Sequence, residues 1–177
     1  MKRRSITQRL AKRPPRPEGD GMSDLTFPPE TVERIQPILD QSAATATPIV
    51  GKTFAREDRR DSAETFLKTW NGVRMCTVAS AGPNGTPHIA VVHASFGEDG
   101  RLTMRMFENS VRQKDFRVNP RVALSKYDEE GSVMMVYGTP REVPNTQRPS
   151  RNADGTSTVE VEIDITRIYA LSPRPRE

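Results

Sequence analysis

The sequence predicts a mainly β chain, an antiparallel barrel of six strands, closed or nearly closed, with a few short helices. Three observations predict it. From Arg74 onward the spacing of apolar residues changes from a helical period to an alternation, which holds almost to the end. The alternating runs are short and are separated by turns bearing Gly, Pro and Asn. A single segment between the third and fourth runs lacks alternation and carries helix signals instead. Closure is favoured because an open sheet of such strands would leave edges that invite pairing with other chains. A chain of 177 residues suits one domain with a core of its own.

Residues 1–21 hold seven Lys/Arg, three Pro and little apolar content, so the sequence predicts a disordered basic tail there. Three readings of it stay open: an extension upstream of a start at Met22, a weak polyanion-binding arm, and an organelle presequence, which the prolines disfavour. Residues 22–61 are read as an N-terminal helix and loop. The helix is placed at 28–40, where Val32, Ile35, Ile38 and Leu39 fall near helical spacing and Pro37 strains or ends the first half. Residues 41–59, small and polar with a proline, read as loop. A second helix over 62–70 takes Asp61 or Ser62 as cap and sets Phe66 and Trp70 on one face.

The strands follow. RMCTVASA (74–81) and TPHIAVVHASF (86–96) flank Gly82-Pro83-Asn84-Gly85 and form a hairpin. A turn at 97–100 leads into 101–107, where Leu102, Met104 and Met106 make one dry face. Residues 108–120 read as a short helix capped at Asn109 or Ser110 and stopped by Pro120. Strands resume at 121–128 and 132–143 around a tight turn, 144–157 reads as a surface loop, and 158–171 alternates until a bulge near Thr166–Arg167.

Composition narrows the function classes. The formal net charge is +4, but the tail alone carries +5, so the rest of the chain is close to neutral and a nucleic-acid role is disfavoured. The single cysteine excludes an internal disulfide, and two histidines with no cysteine pair leave no metal-ligand spacing. The chain has no apolar run long enough to span a bilayer and no secretory signal, so a soluble, cytoplasmic protein with no membrane association is expected. His88 and His93 lie an odd number of residues apart, which sends them to opposite strand faces. His88 reads as structural, and His93 as satisfied or exposed.

The blocks WNGVRMCTVASAGPNGTPHIAVV (70–92), DGRLTMRM (99–106), NSVRQKDFRVNPRVAL (109–124) and VYGTPREV (136–143) together resemble the FMN-binding split-barrel family typified by pyridoxamine 5′-phosphate oxidase. The resemblance implies a split barrel over 62–177. It implies that Ser110 and Arg112, with Lys114 close behind, hold the phosphate of FMN where the third strand enters the helix. A helix N-terminus with Arg and Ser is also a physically sound anion cradle; on composition alone the same residues could merely solvate an exposed helix. Arg74 is placed near the phosphate and Met75, Cys76 and Thr77 near the ring, with core packing as the alternative for Met75 and Cys76. Met106 stands at a cofactor-contact position that is Thr in the oxidase, while Val111 and Val133 stand where the oxidase has Arg and Gln. These departures, and a C-terminal end reading LSPRPRE, argue against pyridoxine phosphate as substrate.

The implied function is an FMN-dependent oxidoreductase of unassigned substrate, working as a homodimer with a cofactor in each groove between subunits. Its partners are a small-molecule substrate and a reduced nicotinamide or other electron donor. The alternatives are a deazaflavin-dependent reductase and a non-enzymatic module that binds flavin or haem. No acid or base residue is singled out, because the cofactor carries the chemistry.

Overall fold

The computed structural model describes residues 26–54 (Phe54 by its backbone alone), 56, 59–150 and 155–173. The basic segment 1–21 and its three readings lie outside them. In order the elements are α1 (Pro29–Ala44), α2 (Pro48–Phe54), α3 (Ala63–Gly72), β1 (Cys76–Ala81), β2 (Pro87–Val92), β3 (Ala94–Phe96), β4 (Leu102–Phe107), α4 (Val111–Val118), β5 (Val122–Tyr127), β6 (Val133–Glu142), β7 (Arg148–Pro149) and β8 (Ser157–Leu171).

The strands form one antiparallel sheet in the order β2-β1-β5-β6-β8-β4-β3, with β7 added against β8. The two ends of that order, β2 and β3, are consecutive in the chain with only His93 between them. The sheet therefore curls until its edges meet in one bent run. The predicted strand at 86–96 is thus two strands: β2 pairs with β1, and β3 turns away to pair with β4. With this kink and the two-residue β7, which interrupts the predicted loop at 144–157, the six predicted runs become eight strands.

The hairpin β1–β2 is held in register from Cys76 opposite Val92 to Ala81 opposite Pro87, and Gly85 supplies the positive φ its turn requires. The bulge falls where the alternation breaks. Tyr137 pairs with Arg167 but Gly138 pairs with Ile165, so Thr166 is the extra residue, and its hydroxyl donates to the Tyr137 carbonyl at 3.2 Å.

Two helical expectations are corrected. Helix α1 continues through Pro37 to Ala44. Pro37 and Glu33 are both exposed, so the Glu33 carbonyl that loses its amide partner sits on the watered face, while Ile35 and Leu39 are buried on the other. Ser42 ties the far end to the barrel by accepting from the Ile168 amide at 3.0 Å. Residues 48–54, read as loop, form α2, whose Val50 packs against Tyr169 and Leu171. Helix α3 is capped by Ser62, whose hydroxyl accepts from the Thr65 amide. Phe66, Trp70 and Phe96 meet edge to face or tilted at 5.5 to 5.8 Å between ring centres. Ile35 and Leu39 of α1 share the same core as the strands, so the helices close the barrel rather than stand beside it.

Candidate functional site

Pairing across β2, β1, β5 and β6 fixes which side chains share a face. Cys76, Val78 and Ser80 point inward, whereas Thr77 and Ala79 point outward beside Val91, Ile89, Ser125 and Ala123. At the Cys76 end of β1 the wall opens into a groove of about 660 Å³, lined by residues 72–77, by Val91 and by residues 125–130. Its size suits a small heterocyclic ligand. Met75, Val91 and Tyr127 give it exposed apolar surface, and Asp128, Glu129 and Glu130 form its far rim. The side chain of Asp128 is turned onto its own loop, accepting from the Glu130 and Ser132 amides at 3.0 and 2.8 Å, and those bonds hold its carboxyl below the usual range despite burial.

The groove brings together four of the predicted residues, Arg74, Met75, Cys76 and Thr77. Cys76 itself is buried, and burial pushes its thiol up to about 11, so it is no thiolate nucleophile at neutral pH. Met106 is 3% exposed and packs in the core with Leu102 and Met104, the dry phase of its strand, and it is not among the residues that line the groove.

Ser110, Arg112 and Lys114 lie together on the first turns of α4, away from the groove lining. Ser110 is the cap, its hydroxyl oxygen accepting from the Gln113 amide at 3.2 Å, which leaves the hydroxyl proton free to donate. Lys114 is exposed. Arg112 is half-buried and forms no hydrogen bond or ion pair with the described residues; burial lowers its pKa and the Asp115 carboxylate partly offsets that.

Asp115 is the member of this helix that sequence reasoning passed over. Its carboxylate is 2% exposed and accepts from the Ser80 hydroxyl at 2.6 Å and meets the His88 Nδ1 at 2.8 Å. These bonds, with the charge of Arg112, hold its pKa down against burial. Ser80 and His88 are a cross-strand pair, so one carboxylate locks α4 onto the β1–β2 hairpin. His88 is therefore structural, as expected, while His93 is exposed at the bend with Nδ1 3.1 Å from the Arg74 carbonyl oxygen. The arrangement differs from a nucleophilic triad because the serine bonds the carboxylate and not the imidazole.

Lys126 was also missed. Strand β5 alternates Val122, Leu124 and Lys126 inward, and Lys126 is 2% exposed. Its ammonium donates to the carbonyls of Trp70, Val73 and Ala94, each at 2.7 Å, and sits 4.8 Å from the centre of the Trp70 ring. The signal was present as a lysine in the dry phase of an alternating strand.

No family model and no curated protein matches the chain. Among solved structures it is similar to a conserved hypothetical protein from Mycobacterium tuberculosis, with a TM-score of 0.57 at 19% identity over 69% of this chain and 94% of that one. It is also matched by a protein described as a putative pyridoxamine 5′-phosphate oxidase from Listeria innocua, at 12% identity and TM-score 0.48 over 59% of this chain and 93% of that one. A third, described as an F420 reductase, matches at 17% identity and TM-score 0.49 over 58% and 95%. The fold is a split barrel, one curled antiparallel sheet with a few short helices. The likeness to the Mycobacterium tuberculosis protein speaks to the fold alone and leaves the activity to the chain's own residues.

Within the split barrel the described residues hold no cluster of His, Cys, Asp or Glu able to bind a metal ion, and no helix among them is long and apolar enough to cross a membrane. The chain's own groups suit a phosphate-bearing heterocycle. A half-buried guanidinium without a hydrogen-bond partner among the described residues stands beside a helix cap with a spare hydroxyl proton, and a groove of ring-accommodating size opens at the Cys76 end of β1.

Proposed function

We propose that this protein is an FMN-dependent oxidoreductase that works on a small-molecule substrate with a reduced nicotinamide or similar electron donor. The observation that carries the reading is the groove walled by Arg74, Met75, Cys76 and Thr77, the strand segment assigned to the cofactor ring and its phosphate end. In this reading Ser110, Arg112 and Lys114 grip the phosphate, Arg112 by charge-assisted bonds from a guanidinium already partly desolvated. Bound FMN supplies the electron transfer, and the protein supplies binding, orientation and exclusion of water.

The outer face supports a homodimer. Ile89, Val91 and Tyr127 are 72%, 62% and 75% exposed on β2 and β5, the two strands that flank β1, an apolar surface that a second copy would cover while closing the open side of each groove. A deazaflavin coenzyme is the second reading, favoured by exposed Val111 and Val133 where the oxidase carries polar residues. A cytoplasmic location accompanies either reading.

The test is spectroscopic. The purified protein is titrated with FMN and with a deazaflavin, and saturable uptake of one cofactor per subunit supports the reading, whereas indifference to both refutes it. A bound flavin that no donor reduces converts the protein into a binding module, and uptake of haem alone replaces the cofactor. Arg112→Ala weakens FMN binding at least about tenfold if it grips the phosphate.

A further inference from the structure

A buried cation normally has a carboxylate beside it, because removing charge from water is costly. Lys126 has none: its three N–H bonds end on the carbonyls of Trp70, Val73 and Ala94, and it forms no ion pair with the described residues. The carbonyl dipoles satisfy its donors without cancelling its charge. The position is equally specific. Thr77 pairs with Ser125, so one step along the register Lys126 lies opposite Cys76, and both residues line the groove. The acids of the rim do not bond it; Asp128 is engaged by its own loop, and Glu129 and Glu130 are exposed on the turn. Arg74, also on the groove wall, adds positive charge at its mouth.

A fixed, uncompensated charge in a ligand wall, with every donor already used, acts on the occupant through space. It favours whichever state of that occupant carries more negative charge. We propose that Lys126 is a tuning residue that makes the groove hold the reduced, anionic form of the flavin ring more tightly than the oxidised form. This rests on the flavin reading above. The step is balanced: a reduced nicotinamide is oxidised and gives up two electrons and one proton, and a flavin ring held in the groove would take them up and carry one negative charge, across the strand wall from the inward-pointing Lys126 ammonium.

The wild type, Lys126→Met and Lys126→Arg are each loaded with FMN. The dissociation constants of oxidised and dithionite-reduced FMN are measured anaerobically, with the midpoint potential from dye-equilibrated reduction. Lys126→Met loses at least about tenfold more affinity for reduced than for oxidised FMN, which lowers the midpoint potential by about 30 mV for a two-electron couple. Lys126→Arg, which keeps the charge, stays near the wild type. Equal potentials in wild type and Lys126→Met overturn the inference and leave the flavin reading intact. Failure of the wild type to take up FMN in either form removes both. Should Lys126→Met not fold, the wild type is followed from about pH 7 to about pH 10, where Lys126 loses its charge. The preference for reduced FMN weakens across that range if the inference holds, and a constant preference overturns it.

Discussion

Lys126 and Cys76 face each other in one wall of the groove, and their ionisations push stability in opposite directions as pH rises. Burial lowers the Lys126 ammonium from 10.5 to about 8, so between those values the unfolded chain binds more protons than the folded one and stability climbs. Burial raises the Cys76 thiol from 9.0 to about 11, so over that window the folded state holds the extra proton and stability falls. Linkage for Lys126 alone gives a gain of about 1 kcal/mol by about pH 9 and about 3 kcal/mol by about pH 10.5. The Cys76 contribution removes little by the first point and about 2 kcal/mol by the second, leaving a rise that levels off near about 1 kcal/mol. The assay is urea denaturation followed by Trp70 fluorescence from about pH 7 to about pH 10.5, comparing wild type, Cys76→Ala and Lys126→Arg. The wild type rises and then levels off, while Cys76→Ala keeps rising because the opposing thiol is gone. Lys126→Arg shows no rise, since a guanidinium does not titrate in this range. A wild-type midpoint that falls steadily between pH 7 and pH 9 would refute the reasoning, since it would mean that Lys126 is paired with a charge or open to water.

Two further perturbations test the frame around the site. Asp115→Asn removes a buried charge that Ser80 and His88 bond, at a cost of about 1.5 to 3 kcal/mol. Because the Asp115 pKa is lowered in the fold, its contribution is complete above the ordinary carboxylate range and is lost as pH falls through the folded value. The acid limb of stability is therefore flatter in Asp115→Asn than in wild type, and identical limbs in a urea series would show that the latch carries no free energy. Gly138→Ala places a Cβ 2.5 Å from the Asp164 carbonyl oxygen and 2.7 Å from Ile163 Cγ2. The first neighbour is backbone and cannot swing aside, so the change costs about 3 kcal/mol and lowers the thermal midpoint by several degrees. An unchanged midpoint in a circular dichroism melt would mean that the β6–β8 bulge relaxes freely.

The sequence by itself determined the features that depend on neighbouring residues. The alternation beginning at Arg74, the Gly82–Gly85 turn, a cap at Asp61 or Ser62, another at Asn109 or Ser110 and a bulge near Thr166–Arg167 are local stereochemistry, and the structure puts the caps on Ser62 and Ser110 and the extra residue at Thr166. The alternation also puts Met106 on the dry face of its strand, and the structure buries it in the core. Along β1, residues 74–77, which the resemblance places at the cofactor, wall a groove. Tertiary structure decided what depends on partners distant in the chain. Pro37 is tolerated because the amphipathic face of α1 finds β8, and the run 86–96 breaks at His93 because its halves pair with β1 and β4. Asp115 meets Ser80 and His88 across 35 and 27 residues, and Lys126 reaches the Trp70 carbonyl across 56. A charged side chain in a sequence is read as solvated, and only packing reveals which are enclosed, because burial is a property of what the rest of the chain puts around them.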